Sequence, residues 1–217
     1  MDSCNRLLLS NRAWAAERLR IRADYFTRTV AAQTPHFLWI GCSDSRVPVE
    51  ELTNSEPGDL FVHRNIANLV VENDTNMLSV LQYAIEELKL KQVIVCGHYF
   101  CGGVKAAKST QLSGPIEEWL RHLRDVYVAN LDEINALPDE QSRWDRLVEI
   151  NVAAQVRNLA STDIVRHAWE REDRPILHGW IYDLRTGYLN ELIEMQPSRP
   201  SQPRTSDTEP ALRSRNV

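Results

Sequence analysis

Two short, fully apolar runs, at residues 37–40 and 93–96, most constrain the fold of this 217-residue chain. A strand that faces water on one side alternates apolar and polar residues, whereas a continuous apolar strand is typical of a parallel sheet that is buried on both faces. Helical patterns lie between and after the runs. The sequence therefore predicts an α/β fold in which helices flank a mainly parallel central sheet.

The other elements follow from apolar periodicity and turn residues. Residues 5–31 contain no Gly or Pro and are rich in Ala, Leu and Arg, which predicts an N-terminal helical arm with at most one break. Residues 60–62 predict a short strand, and 176–183 with 188–194 predict an antiparallel C-terminal hairpin. Helical spacing predicts helices after a cap at Asp74 or Thr75 and at 103–109, 116–130 and 143–168.

Length and composition favour one domain. With 43% apolar residues the chain can build one substantial core, which we expect within residues 1–195. Residues 196–217 hold four prolines and three apolar residues, which is typical of a flexible tail. The net charge of −5 argues against a dedicated nucleic-acid binder, and neither a signal peptide nor a membrane span is recognisable. We therefore expect a cytoplasmic protein.

Metal-binding side chains follow both apolar runs. Cys42 comes two residues after the first run, and His98 and Cys101 come shortly after the second. Because ligand sites gather at the carboxyl ends of parallel strands, we expect these three side chains to meet. Two thiolates and one imidazole suit Zn²⁺, and three protein ligands leave a fourth position for water or substrate, as in catalytic zinc sites. Cys96, inside the second run, is predicted to be a core residue.

Asp44 and Arg46 favour catalysis over a structural metal site. Arg46 can keep the Asp44 carboxylate ionised and orient it through paired hydrogen bonds. Asp44 can then accept a proton near the metal, or it can itself fill the fourth position and close the site. A non-catalytic zinc module stays as an alternative, whereas a thiol redox protein is disfavoured because the chain has no Cys-x-x-Cys pattern.

The segment Cys-Ser-Asp-Ser-Arg-Val-Pro at 42–48, together with His-x-x-Cys-Gly-Gly at 98–103, resembles the β-class carbonic anhydrases. The resemblance covers about residues 5–195. It implies a zinc enzyme that reversibly converts CO₂ to bicarbonate and a proton by attack of a zinc-held hydroxide. Cys42, His98 and Cys101 would be the ligands, with Asp44 and Arg46 as the catalytic pair. A CS₂ or COS hydrolase with the same zinc site is the alternative.

The resemblance also implies a substrate pocket and an assembly. The pocket residues would be Gln33, Phe61, Ile66 and Tyr83. Gly102 would contribute as well, because it opens a helix whose backbone N–H groups favour anionic oxygens. Family sites lie at a dimer interface, so we expect a homo-oligomer, either a dimer or a dimer of dimers. The arm at 5–31 is expected to pack on a neighbouring subunit.

The resemblance also implies that the enzyme belongs to a subtype that bicarbonate regulates. Three residues match positions that bind bicarbonate away from the metal in allosteric (type II) bacterial members of the family, namely Trp39, Arg64 and Tyr182. In such members bicarbonate moves the loop that here carries Val47 and Glu50. Asp44 would then ligate zinc in an inactive state and Arg46 would lose its partner. Low pH would favour the same state, because hydroxide becomes scarce.

Overall fold

The two apolar runs form neighbouring strands at the centre of a five-stranded sheet. The computed structural model describes residues 2–108 and 111–197, so most of the predicted tail lies outside the described residues. The strands of this part of the chain are β1 (Phe37–Cys42), β2 (Leu60–Asn65), β3 (Gln92–His98), β4 (Ile176–Tyr182) and β5 (Leu189–Met195). The strands follow the predicted order, and several extend beyond their apolar runs.

The sheet order is β2-β1-β3-β4-β5, with β5 antiparallel to β4 and every other pair parallel. The chain leaves β1 toward one edge, forms β2 there, and then crosses back to form β3 on the other side of β1. The gap between β1 and β3 is thus a topological switch point, where ligand sites of open α/β sheets form. The predicted α/β fold with a mainly parallel sheet and an antiparallel C-terminal strand is confirmed.

Helices precede the first strand and lie between most of the successive strands along the chain. In the described residues they are α1 (Ser3–Ile21), α2 (Val49–Leu52), α3 (Thr75–Gln82), α4 (Gly102–Ala106), α5 (Pro115–Ala129), α6 (Leu131–Asn135), α7 (Glu140–Ser161) and α8 (Asp163–Arg171), with 3₁₀ turns at Thr27–Thr29 and Ile66–Asn68 and a π turn at Tyr83–Glu87. The main core lies between the sheet and α7, where Val148, Val152 and Val156 are buried. None of these helices is both long enough and apolar enough to cross a membrane.

The structure corrects the limits of three predicted helices. The helix predicted over 143–168 is two helices, because Thr162 is extended and its Oγ1 accepts a hydrogen bond from Val165 N at 3.3 Å, which caps α8. The arm predicted over 5–31 with one break is α-helical to Ile21, where Arg22 is extended, and beyond the break it forms only a 3₁₀ turn at Thr27–Thr29. The helix predicted at 103–109 ends at Ala106.

Candidate metal centre

The sheet brings the three predicted ligands together. Cys42 is the last residue of β1 and His98 is the last residue of β3, and these strands are parallel neighbours. Cys101 lies immediately before α4. Its Sγ, Cys42 Sγ and a ring nitrogen of His98 lie within 4.8 Å of one another, and all three residues are buried. The switch point between β1 and β3 therefore holds a Cys-His-Cys group that could bind a metal ion.

The spacing of the sulfur atoms fits a tetrahedral zinc ion. Cys42 Sγ and Cys101 Sγ lie 3.8 Å apart, and both cysteines are free thiols. Two sulfurs that each lie about 2.3 Å from a tetrahedral zinc ion are separated by about 3.8 Å. The distance therefore matches two ligands of one metal ion.

The hydrogen bonds of His98 leave its Nε2 atom available to bind a metal ion. Its Nδ1 lies 2.9 Å from Tyr99 O, and a carbonyl oxygen can only accept, so Nδ1 carries the proton. Nε2 is buried and has no hydrogen-bond partner among the described residues. A histidine whose Nδ1–H is held by a carbonyl presents the lone pair of Nε2, which is the usual arrangement of a metal-ligating imidazole.

The contact between the two cysteines shifts the pKa values of their thiols in opposite directions. The thiol of Cys101 stabilises the Cys42 thiolate and lowers the pKa of Cys42, against the opposing effect of burial. The same contact, together with burial, raises the pKa of Cys101, because a second negative charge would lie beside the first. A divalent cation removes this repulsion, so the pair is suited to bind a metal as two thiolates.

Asp44 and Arg46 form the predicted pair beside the ligands. Arg46 Nε donates to Asp44 Oδ1 at 2.9 Å and Arg46 Nη2 donates to Asp44 Oδ2 at 2.7 Å. The pairing lowers the pKa of Asp44 to about 2. Arg46 Nη2 also donates to Phe100 O at 3.2 Å, which ties the pair to the loop between His98 and Cys101. Asp44 Oδ2 lies 3.7 Å from His98 Nε2, so an ionised carboxylate borders the ligand group.

The predicted pocket residues divide into two groups. Ile66 follows β2 at the level of Cys42, and Gly102 directly follows Cys101. Phe61 instead pairs with Leu38, about 13 Å back along the sheet from Cys42, and its ring lies 5.7 Å from that of Tyr83. Gln33 is exposed and lies four residues before the first residue of β1, whereas Cys42 is the last residue of that strand. Within one chain, only part of the predicted pocket therefore lies at the metal centre.

The three predicted effector residues lie on the face of the sheet that is opposite to α7. Trp39 and Tyr182 belong to one buried cluster. Trp39 Nε1 is buried without a hydrogen-bond partner among the described residues and lies over Gly41, where a Cβ would be only 2.5 Å away. Arg64 Nε donates to Cys42 O at 2.9 Å, and its Nη2 donates to Asp44 O at 2.7 Å. Arg64 thus connects this face of the sheet to the backbone of residues 42–44, where Cys42 and Asp44 lie.

The chain is similar to proteins of known family along most of its length. A family model described as carbonic anhydrase matches residues 37–189. A carbonic anhydrase of Emericella nidulans is 43% identical over 188 residues, which cover 87% of this chain and 82% of the relative.

Two solved structures show the same fold. A Coccomyxa β-carbonic anhydrase in complex with acetazolamide superposes with a TM-score of 0.85 at 38% identity, over 90% of this chain and 89% of that one. One of two tetrameric β-carbonic anhydrases from Sordaria macrospora has a TM-score of 0.85 at 35% identity, over 90% of this chain and 100% of that one. The chain therefore belongs to the β-class carbonic anhydrase family of enzymes.

Proposed function

We propose that this enzyme catalyses the reversible hydration of CO₂ to bicarbonate and a proton with Zn²⁺ held by Cys42, His98 and Cys101. The observation that carries the proposal is the buried Cys-His-Cys group with the Asp44–Arg46 pair beside it. When bound, the metal ion supplies the Lewis acidity that makes water available as hydroxide near neutral pH. Two thiolates offset its charge, so we expect activity to need a more alkaline pH than a site with three histidines would.

Asp44 and Arg46 would orient the attacking oxygen. Because Arg46 holds the pKa of Asp44 at about 2, the carboxylate remains ionised at working pH and acts as a hydrogen-bond acceptor, not as an acid. By accepting the hydrogen of that oxygen, Asp44 directs a lone pair toward the carbon of CO₂. Ile66 would supply an apolar wall, and Gly102, at the start of α4, would leave room for the bicarbonate oxygens, since a Cβ there meets nothing within 4 Å.

A CO₂-hydration assay tests this proposal. Stopped-flow measurement with a pH dye on zinc-quantified protein should show a rate above the buffer that rises with pH. Cys101→Ser should lose zinc and activity together, because one ligand of a three-ligand site is gone. A fully active, metal-free variant would contradict the ligand assignment. No rate from zinc-loaded protein at alkaline pH would instead favour a CS₂ or COS hydrolase.

We also propose that bicarbonate regulates the enzyme through Trp39, Arg64 and Tyr182. The support is the position of Arg64, whose guanidinium donates to the carbonyl oxygens of Cys42 and Asp44. An anion bound to Arg64 would compete with these carbonyls and free the loop that carries Val47 and Glu50. Asp44 would then leave Arg46 and take the fourth ligand position, which closes the site.

Two variants test the regulation. Trp39→Phe removes the unpartnered indole N–H and Tyr182→Phe removes the phenol, so each should weaken inhibition by bicarbonate while the zinc content stays intact. The measurement is the CO₂-hydration rate against bicarbonate concentration at fixed pH and ionic strength. Unchanged inhibition in both variants would contradict the proposed effector site.

We propose further that residues 1–195 act as one catalytic domain within a homo-oligomer, a dimer or a dimer of dimers. No residue of α1 is buried, and Leu7, Leu8 and Ile21 are all more than 60% exposed. A helix that exposes these apolar side chains is a candidate to pack on a second copy of the chain. A neighbouring copy could also bring Gln33, Phe61 and Tyr83 to the metal centre, from which they are remote within one chain.

Mixing two inactive variants tests the shared site. Cys101→Ser lacks the metal, and Gln33→Ala lacks a pocket residue. If Gln33 acts across the interface, a mixed oligomer contains one complete site, so co-refolded protein should recover part of the activity. Light scattering and two affinity tags would confirm that mixed oligomers form. Mixed oligomers without recovered activity would show that Gln33 acts in its own subunit, and a Gln33→Ala variant that is active by itself would show that Gln33 has no role.

A further inference from the structure

We propose that Asn151 and Gln155 of α7 are positioning residues for the metal ligands, because they hold the turn Ile66–Asn68 against all three ligand-bearing segments. This inference rests on the proposed zinc function. The apolar stripe of α7 contains both residues, and they are 1% and 2% exposed. Buried amides in an apolar stripe are costly unless every hydrogen bond is made, so their partners indicate their role.

The turn contacts each of the three segments. Ala67 is buried in the same cluster as Cys42, and Asn65, immediately before the turn, is the strand partner of Cys42. A Cβ on Gly103, two residues after Cys101, would lie 2.8 Å from Ile66 Cγ2 and 3.2 Å from Ala67 Cβ. A Cβ on Gly97, next to His98, would lie 3.5 Å from Asn68 Oδ1. A shift of this turn therefore reaches all three ligands.

The backbone of the turn needs support. Ala67 has φ 65° and Asn68 has φ 49°, two consecutive left-handed residues that are not glycine. Alanine disfavours this region because its Cβ approaches the following carbonyl oxygen, and such residues persist only where their surroundings hold them. The turn is therefore a strained element that would relax if its contacts were lost.

The two amides of α7 supply that support. Asn151 Nδ2 donates to Ala67 O at 3.1 Å. Gln155 Nε2 donates to Asn151 Oδ1 at 2.8 Å, which fixes the orientation of the Asn151 amide. Gln155 Oε1 accepts from Val70 N at 2.8 Å and so holds the chain just beyond the turn. These bonds connect α7 to Ala67 within the turn and to the chain just beyond it.

The test compares Asn151→Ala with Leu159→Ala, a buried truncation on the same helix of an apolar side chain that can make no hydrogen bond to the turn. Both variants lower the thermal midpoint, but only Asn151→Ala should change the metal centre. We expect it to speed zinc transfer to a chelator about 10- to 100-fold, as losses of residues that orient metal ligands do. It should also shift the thiolate-to-metal absorption of the Co²⁺-loaded protein, and Leu159→Ala should leave that spectrum in place.

A second variant and a second measurement cover the other outcomes. If Asn151→Ala does not fold, Gln155→Met keeps the volume, removes the same chain of hydrogen bonds and should speed zinc release in the same direction. In the metal-free protein, amides 67–70 should exchange hydrogen faster in either variant than in Leu159→Ala. Equal zinc release from the α7 variants and Leu159→Ala overturns the positioning role and leaves the proposed function standing. A wild-type chain that takes up no zinc overturns the proposed function, and the exchange experiment then still decides whether α7 holds the turn.

Discussion

At the residue scale, an Asp-x-Arg pair occurs twice in this chain with the same hydrogen bonds. Arg185 N and Nε donate to Asp183 Oδ1, each at 2.9 Å, and Nη2 donates to Asp183 Oδ2 at 3.0 Å, which repeats the bonds between Arg46 and Asp44. In both pairs the arginine lowers the pKa of the aspartate. Only Asp44 lies beside a metal-ligand atom, 3.7 Å from His98 Nε2. Position, not the local motif, therefore gives Asp44 its proposed chemical role.

The two pairs provide a matched experiment. Asp44→Asn keeps the size of the side chain but weakens its acceptor, so kcat for CO₂ hydration should fall about 100-fold or more while zinc content is unchanged. Asp183→Asn breaks an equivalent pair after β4 and should lower kcat by a few-fold at most. The measurement is the stopped-flow rate of CO₂ hydration by each variant, on protein whose zinc content has been quantified. Equal losses in the two variants would show that Asp44 has only a structural role.

At the element scale, close packing of α7 on the sheet depends on strand glycines. A Cβ on Gly97 of β3 would lie 2.5 Å from Val152 Cγ2, and one on Gly179 of β4 would lie 3.0 Å from Val152 Cγ1. Any larger residue would push the helix away from β3 and β4. The position of α7 also affects the proposed metal centre, because the same helix carries Asn151 and Gln155.

Gly97→Ala should therefore destabilise the protein. Overpacking against Val152 should lower the free energy of unfolding by about 1–3 kcal/mol, measured by urea denaturation of the metal-free protein. Gly102→Ala is the control, since a Cβ there meets nothing within 4 Å, and it should change stability by about 0.5 kcal/mol or less. Equal stability of the two variants would contradict the close approach of α7.

At the scale of the whole molecule, ion pairs and a small aromatic cluster hold the N-terminal arm. The Trp14 ring lies 6.1 Å from that of Tyr25 and 5.5 Å from that of Phe26. Glu56, after α2, pairs with both Arg22 and Arg28. These ion pairs join the arm to the domain and thereby set the direction in which α1 projects.

The attachment of the arm should depend on pH. Its arginine partners lower the pKa of Glu56, so the ion pairs contribute fully above the usual glutamate range and are lost as pH falls through the lowered value. Hydrogen exchange or limited proteolysis of residues 3–30 should therefore accelerate only at acidic pH, whereas Glu56→Gln should show the acceleration at neutral pH. Glu17→Gln is the control, because its partner Arg20 lies within α1. Equal protection of the arm in both variants would contradict this anchor.

The sequence by itself determined the strands, the members of the Cys-His-Cys group and the Asp44–Arg46 pair. Apolar runs and short motif spacings are local properties, and a parallel sheet brings strand ends to one edge. The polar residues Asn151 and Gln155 were visible in the apolar stripe of α7, but their partners were not.

Only the tertiary structure decided the features that depend on distant contacts. The helical pattern continues through residue 162, and the extended backbone of Thr162 ends α7. The strand register places Phe61 about 13 Å from the level of Cys42, although both residues lie in adjacent strands. Ala67 has a left-handed backbone, and its carbonyl oxygen accepts a hydrogen bond from Asn151 of α7, 84 residues further along the chain. Such features result from packing between segments far apart in sequence, which local periodicity does not encode.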